Sequence, residues 1–364
     1  MINRILLFLA RHIDRHLLAA MAALLVVGMI TLYSASGESV ARVGGQLVNT
    51  VAALGLMWIA ANIPPHYLQR LALPVYLLGL SLLIGVHFFG EVVNGARRWL
   101  HIGVTRIQPS EMMKVAVPLA LAWYFDRYEA VLKLRNFAVA ALMMLVPVGL
   151  IVKQPDLGTA LLISAAGFYV IFLAGLSWKI ITGLIVAGLA SLPLLWPLLH
   201  EYQRQRVLTL LDPSQDPLGA GYHTIQATIA LGSGGFFGKG WLNGTQAHLD
   251  FLPERSTDFI FAVFSEEFGL FGNLVLVTLF LFVIGRGMFI SFNASTLFTR
   301  LVAGAITLTF FTYVFVNMGM VAGILPVVGV PLPLISYGGT SLVSILFCIG
   351  ILMSIHTHKR LVKS

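Results

Sequence analysis

A carboxylate or ammonium in hydrocarbon is costly, so in an apolar chain the charges inside long hydrophobic runs are where chemistry is to be sought. Asp258 follows Pro253-Glu254-Arg255-Ser256-Thr257 and precedes the apolar Phe259-Ile260-Phe261-Ala262-Val263, which places it at a membrane–water boundary as the first residue of a helix. Its carboxylate would suit the positive end of that helix, although Ser256 or Thr257 would cap it as well. Glu111 and Lys114 lie three residues apart, on one helical face and within pairing reach. A purely structural ion pair is the plainer alternative for them. Glu266 and Glu267 lie about two turns beyond Asp258, and their types and spacing assign them no role. Arg97, Arg98 and Arg106 flank Trp99, while Arg204 and Arg206 stand further on. Guanidinium forks match phosphate oxygens, so Arg98, Trp99, Arg204 and Arg206 are candidates for holding an anionic headgroup. The plainer alternative for each arginine is a solvated loop charge.

The elements that must position these groups follow from composition. The chain has 364 residues, of which 58% are hydrophobic and 10% charged, with a mean hydropathy of +0.89. A soluble domain carries about a quarter charged residues, so a bilayer is the natural solvent for most of this chain. One cysteine, Cys348, excludes a disulfide framework and a cysteine-based metal site. The ten histidines show no metal-ligand spacing, and no Ser–His–Asp arrangement can be argued. The run Gly232–Gly240 invites a phosphate-loop reading. Ser233 stands where that motif needs its first glycine and Gly240 where it needs Ser or Thr, so the reading is rejected.

Ten apolar stretches are candidate membrane spans, the fourth of them short and interrupted by Glu111, Lys114 and Pro118: Leu17–Ser34, Gln46–Ile63, Pro74–Gly90, Ser110–Phe125, Phe137–Val152, Leu157–Leu176, Ile180–Leu199, Asp258–Gly285, Leu301–Ile324 and Ile335–Ile355. An even number returns both termini to one side. Arg4, Arg11, Arg15, Arg70, Arg127, Lys133, Arg135, Lys179, Arg286, Arg300 and the Lys359-Arg360 tail then fall together, so the positive-inside rule makes that side cytoplasmic. The net charge of +8 thus reads as topology, and no nucleic-acid partner is needed to explain it. The sequence is read as one all-α polytopic membrane unit spanning 1–364. Helices one to seven lie within 17–199, an extracytoplasmic loop occupies 200–257, helices eight to ten lie within 258–355, and a cytoplasmic tail covers 356–364. The loop is far longer than a connector needs to be. Its stretch Tyr222–Leu231 has helical spacing, and the glycines that follow would let backbone approach a ligand closely.

Several stretches carry a family resemblance: ARRWLHIGVTRIQPSEMMKVAVP, QPDLGTA, YQRQRVLTLLDPSQDPLGAGYH, GSGGFFGKGWLNGTQAHLDFLPERSTDFIFAVFSEEFG and GMVAGILPVVGVPLPLISYGGTS. The chain resembles the SEDS family (shape, elongation, division and sporulation), membrane peptidoglycan glycosyltransferases of bacteria. GWLNGTQ, PVVGVPLPLISYGG and SIHTHKR resemble its elongation branch more than its division branch. The resemblance implies ten helices with a large extracytoplasmic loop between the seventh and eighth, in the bacterial cytoplasmic (inner) membrane. It implies lipid II as substrate, and as partners a class B penicillin-binding protein, the rod-shape elongation complex and membrane lipids. The family's essential acid falls on Asp258, and its intramembrane pair on Glu111 and Lys114. Departure of a pyrophosphate needs one base and a few cations, which makes Asp258 the expected general base and Arg98, Arg204 and Arg206 the expected phosphate clamp. No tightly bound cofactor is expected, and at most a weakly held Mg or Mn ion. The rival reading is a lipid II flippase, since intramembrane charges and broken helices also mark transporters. A structural scaffold is a third.

Overall fold

The computed structural model describes residues 12–93, 96–102, 105–128, 133–195, 197, 204, 208–210, 212, 220–248 and 254–358. Among these are twelve helices: α1 (Arg15–Ala35), α2 (Val40–Asn62), α3 (Pro65–Phe89), α4 (Pro109–Arg127), α5 (Leu134–Val152), α6 (Leu157–Leu173), α7 (Trp178–Leu195), α8 (Ala220–Ser233), α9 (Thr245–His248), α10 (Ile260–Phe292), α11 (Leu297–Val321) and α12 (Gly339–Thr357). Seven of them, α1, α2, α3, α5, α10, α11 and α12, are long and apolar enough to cross a bilayer by length and composition. Two shorter apolar helices, α6 and the Trp178–Ser191 part of α7, lie between them. A helix overlaps each of the ten expected stretches, though α4, which carries Glu111 and Lys114, is not among the seven long and apolar enough to cross, and the chain has the make-up of a multi-pass membrane protein.

Local chemistry sets the helix starts. Asp14 accepts from Leu17 N and caps α1, Asp156 accepts from Thr159 N and caps α6, and Thr296 with Thr299 closes a capping box on α11. Pro65 and Pro109 open α3 and α4, where a missing N–H costs nothing. Pro147 inside α5 frees the Met143 carbonyl one turn earlier, and the Tyr76 hydroxyl of α3 donates to it at 2.8 Å.

Several boundaries differ from the sequence reading. α2 and α3 begin at Val40 and Pro65 rather than Gln46 and Pro74, because Ser39 caps the first and proline is tolerated inside the second. α12 begins at Gly339 rather than Ile335, since Pro326, Pro331 and Pro333 leave the stretch before it non-helical. α10 begins at Ile260, two residues after Asp258, and runs on to Phe292 across a break at Gly269 (φ 63°, ψ −162°). The helix expected over Tyr222–Leu231 is present as α8. An antiparallel sheet of β1 (Glu91–Val93), β2 (Ala96–Ile102) and β3 (Thr105–Ile107), joining α3 to α4, was not anticipated. Its register pairs Glu91 with Trp99 and His101 with Arg106.

α4 and α11 are the inner helices. α4 carries Glu111, Lys114 and Asp126 yet is buried over most of its surface, packed by α3, α6 and α11. α12 lies along α2, and Gly350 is where the two backbones meet, since a Cβ there would strike the Met57 carbonyl. Gly28 of α1 similarly admits the backbone of Leu334 and Ile335, which seats the stretch preceding α12 inside the bundle.

Candidate active site

Asp258 stands in the turn 254–259 just ahead of α10 (Ile260–Phe292), outside that helix, which is long and apolar enough to cross a membrane. It does not open that helix, as the sequence reading expected. The N-cap is Phe259, with no side-chain cap bond, so capping is not what the carboxylate does. The turn is closed by Thr257 N and Phe259 N donating to the Glu254 carbonyl. Burial, with the Glu254 charge nearby, pushes the Asp258 carboxyl up to about 6. Gly329 adjoins it: a Cβ there would lie 3.4 Å from Asp258 Oδ2, and its φ of +70° suits glycine.

Glu111 and Lys114 form the expected ion pair, Nζ to Oε1 at 2.6 Å, with side chains 15% and 8% exposed. The Ser344 hydroxyl of α12 donates to Glu111 Oε2 at 2.9 Å, and Lys114 Nζ stands 5.5 Å from the centre of the Tyr313 ring. Tyr313 and Asn317 are four residues apart on α11, and Asn317 Nδ2 donates to the Asp258 carbonyl at 2.8 Å. The ion pair and the Asp258 turn are therefore served by neighbouring positions on one face of α11, about 6 Å apart along its axis.

Arg98, on β2, donates from Nε and Nη2 to the carbonyls of Gln154 (3.2 Å) and Pro155 (2.6 Å), fixing the sheet to the α5–α6 connection. Trp99 beside it is half-buried. Arg106 meets Glu91 at 3.5 Å across the exposed sheet. Arg204 donates to the Pro197 carbonyl at 2.7 Å. Arg206 lies outside the described residues.

Residues whose role the sequence left open are explained by the break in α10. The Gly234–Gly240 backbone lies against the break: Leu270 N and Phe271 N donate to the carbonyls of Gly235 and Phe236, while Lys239 N and Gly240 N donate to those of Glu266 and Glu267. The glycines thus admit the backbone of α10, where the sequence left open a close approach to a ligand or a plain glycine turn. Glu266, with no exposed surface, accepts from Lys239 Nζ (2.7 Å), Thr245 N (2.9 Å), Thr245 Oγ1 (2.9 Å) and Gln246 N (3.2 Å). It anchors the loop carrying Trp241 and Asn243. Glu267 accepts from the Ser34 hydroxyl and ties α10 to α1. Asn317 and Gln46, which with Ser336 hold the non-helical stretch before α12, were not singled out from sequence. Neutral polar side chains in apolar runs give no signal until their partners are known.

Among the described residues, no group of three or more His, Cys, Asp or Glu side chains is placed to hold a metal ion.

The comparisons agree with this architecture. A family model described as a cell cycle protein, covering FtsW, RodA and SpoVE, matches residues 15–361. The peptidoglycan glycosyltransferase MrdB of Escherichia coli (strain K12) is 48% identical over 96% of this chain and 95% of its own length. The peptidoglycan glycosyltransferase RodA of Treponema pallidum (strain Nichols) is 31% identical over 95% of this chain and 98% of its own. Among solved structures, a chain from a peptidoglycan synthase complex that coordinates polymerization and crosslinking superposes with a TM-score of 0.83 at 35% identity, covering 96% of this chain and 98% of that one. The rod shape determining protein RodA of Thermus thermophilus superposes at 0.72 with 30% identity, covering 94% of this chain and 96% of that one. From the first turn of α1 to the end of α12 and beyond, this chain belongs to the FtsW, RodA and SpoVE family of cell cycle proteins, the SEDS family.

Proposed function

We propose that this peptidoglycan glycosyltransferase polymerises lipid II, with Asp258 as general base. The observation that carries the reading is a carboxylate at the mouth of a membrane helix, held on a turn rather than used as a cap, with its pKa raised to about 6. A base of that strength is ionised at neutral pH and still basic enough to take a proton in the transition state.

Hydrolysis of a glycoside needs two carboxylates because an alkoxide must be protonated as it leaves. Pyrophosphate leaves without that help. Asp258 removes the proton of the acceptor GlcNAc 4-hydroxyl as that oxygen bonds to C1 of the donor sugar. The C1–oxygen bond to undecaprenyl pyrophosphate breaks in the same step, and the electron pair departs with the phosphates. An α-linked donor becomes a β-1,4 linkage by this single inverting displacement, with no covalent enzyme intermediate. Arg98 and Arg204, with Arg206, are the side chains suited to the charge on the leaving group. Glu111 and Lys114 support the site from below through α11.

In this reading all ten long helices cross the cytoplasmic membrane, the termini are cytoplasmic and the 200–257 loop is extracytoplasmic. The lipid tail lies between helices, and a class B penicillin-binding protein of the elongation machinery crosslinks the product. A flippase would use the α10 break to bind its cargo. Here the freed backbone groups are taken by the glycine loop, which favours polymerisation. Fluorescent lipid II supplied to the purified chain with its transpeptidase partner tests this. Polymer formation supports it, and lipid movement across vesicles without polymer would refute it.

A further inference from the structure

A general base on an irregular turn needs its backbone fixed by something other than a helix. Three consecutive carbonyls of that turn each receive one donor from the C-terminal part of the chain. Tyr337 N donates to Ser256 O at 2.9 Å, Ser336 Oγ to Thr257 O at 2.6 Å, and Asn317 Nδ2 to Asp258 O at 2.8 Å. Each donor is itself constrained. Ser336 Oγ accepts from Leu332 N at 2.8 Å, which commits its proton to Thr257. Asn317, with no exposed surface, places its second amide hydrogen on the Val330 carbonyl at 2.7 Å. Two carbonyls facing one atom require nitrogen there, so the orientation of the amide is settled by chemistry. Gln46 of α2 completes the frame by donating to Ser336 O (3.3 Å) and accepting from Gly338 N (3.2 Å).

We propose that Asn317 and Ser336 are positioning residues for the reaction: they set the direction of the Asp258 carboxylate by clamping the backbone of its turn, without touching substrate. The proposal rests on Asp258 being the base. The pattern distinguishes it from general packing, because both side chains donate to main-chain atoms of the reacting residue or its neighbour. Asn317 also joins that turn to Val330, next to the Gly329 that adjoins the carboxylate. Displacing a catalytic group by about 1 Å lowers the rate on the order of a hundredfold.

The test uses the full chain with its transpeptidase partner and labelled lipid II, comparing Asn317→Leu, Ser336→Ala, Ser336→Thr and Asp258→Asn with the parent. For Asn317→Leu the expected result is a fall in kcat of about a hundredfold with KM for lipid II unchanged within about twofold. Ser336→Ala falls on the order of tenfold, and Ser336→Thr, which keeps the hydroxyl, recovers most of that. Thermal unfolding in detergent reports the folded fraction of each variant. Full kcat in Asn317→Leu and Ser336→Ala overturns the proposal. So does a KM that rises in step with the loss, a Thr variant no better than Ala, or a loss explained by unfolded protein. If Asp258→Asn is inactive while Asn317→Leu works normally, only the positioning role fails. An active Asp258→Asn removes the base assignment itself.

Discussion

Replacing Lys114 by Met removes one partner of the Glu111–Lys114 pair while keeping an unbranched side chain of similar bulk. The Glu111 carboxylate, 15% exposed, then retains the Ser344 hydroxyl at 2.9 Å but loses an ammonium at 2.6 Å. Leaving a buried charge unpaired costs about 3–5 kcal/mol, whereas replacing both partners by groups of similar shape is close to neutral. Lys114→Met is thus expected to lower the unfolding free energy by about 3–5 kcal/mol, two to nearly four orders of magnitude in the folding equilibrium. The double variant Glu111→Gln with Lys114→Met should recover all but about 1 kcal/mol, because a neutral amide can still accept from Ser344. Unfolding of the purified protein by denaturing detergent in mixed micelles, read by tryptophan fluorescence, measures both variants and the coupling between the sites. Equal destabilisation of the single and double variants would refute the reasoning, for it would show that Lys114 stabilises through packing and not through the charge of Glu111. The same variants separate stability from chemistry. A double variant restored in stability but inactive would give the pair a role in the reaction as well.

Three further outcomes follow from the site. With Asp258 raised to about 6, the base is half protonated near pH 6, so the polymerisation rate should be flat above about pH 7 and fall towards tenfold per unit below the midpoint; a flat profile down to pH 5 would contradict the assignment. Gly269→Ala places a side chain at φ 63° and ψ −162° against the Gly238 and Phe236 backbone, and should undock the 234–244 loop. Faster proteolysis within that loop checks it, and an unchanged cleavage rate would contradict it. Glu266→Ala leaves the Thr245 and Gln246 amides without their acceptor and the Lys239 ammonium with the Thr245 hydroxyl but no counter-charge, and should expose the same loop while leaving α11 and α12 intact. Hydrogen exchange that quickens in the loop alone is the expected result.

Much of the architecture could be read from the sequence because membrane helices are written in long, nearly continuous apolar runs. The i,i+3 spacing of Glu111 and Lys114 gave their pairing for the same reason: it depends only on local helix geometry. Asp258 was legible as an acid immediately before an apolar helical run, but not as a turn residue, because the turn is held by contacts from Asn317 and Ser336, far along the chain. Glu266 and Glu267 were visible as misplaced charges. Their partners, Lys239 with the Thr245 loop and Ser34, come from segments that only folding brings near. The glycine run was legible only in part: glycine signals close backbone approach, and the sequence does not say whether a ligand or another helix approaches. The β1–β3 sheet left no trace because strands this short are set by their neighbours more than by propensity.

In the proposed mechanism one carboxylate, Asp258, on the turn just ahead of α10, performs the proton transfer of glycan polymerisation. The most direct test incubates labelled lipid II with the purified chain and its transpeptidase partner, and compares the parent with a well-folded Asp258→Asn variant by gel separation of the glycan strands. Polymer from the parent and none from the variant is the expected result, and equal polymer from both would contradict the role of Asp258 as base.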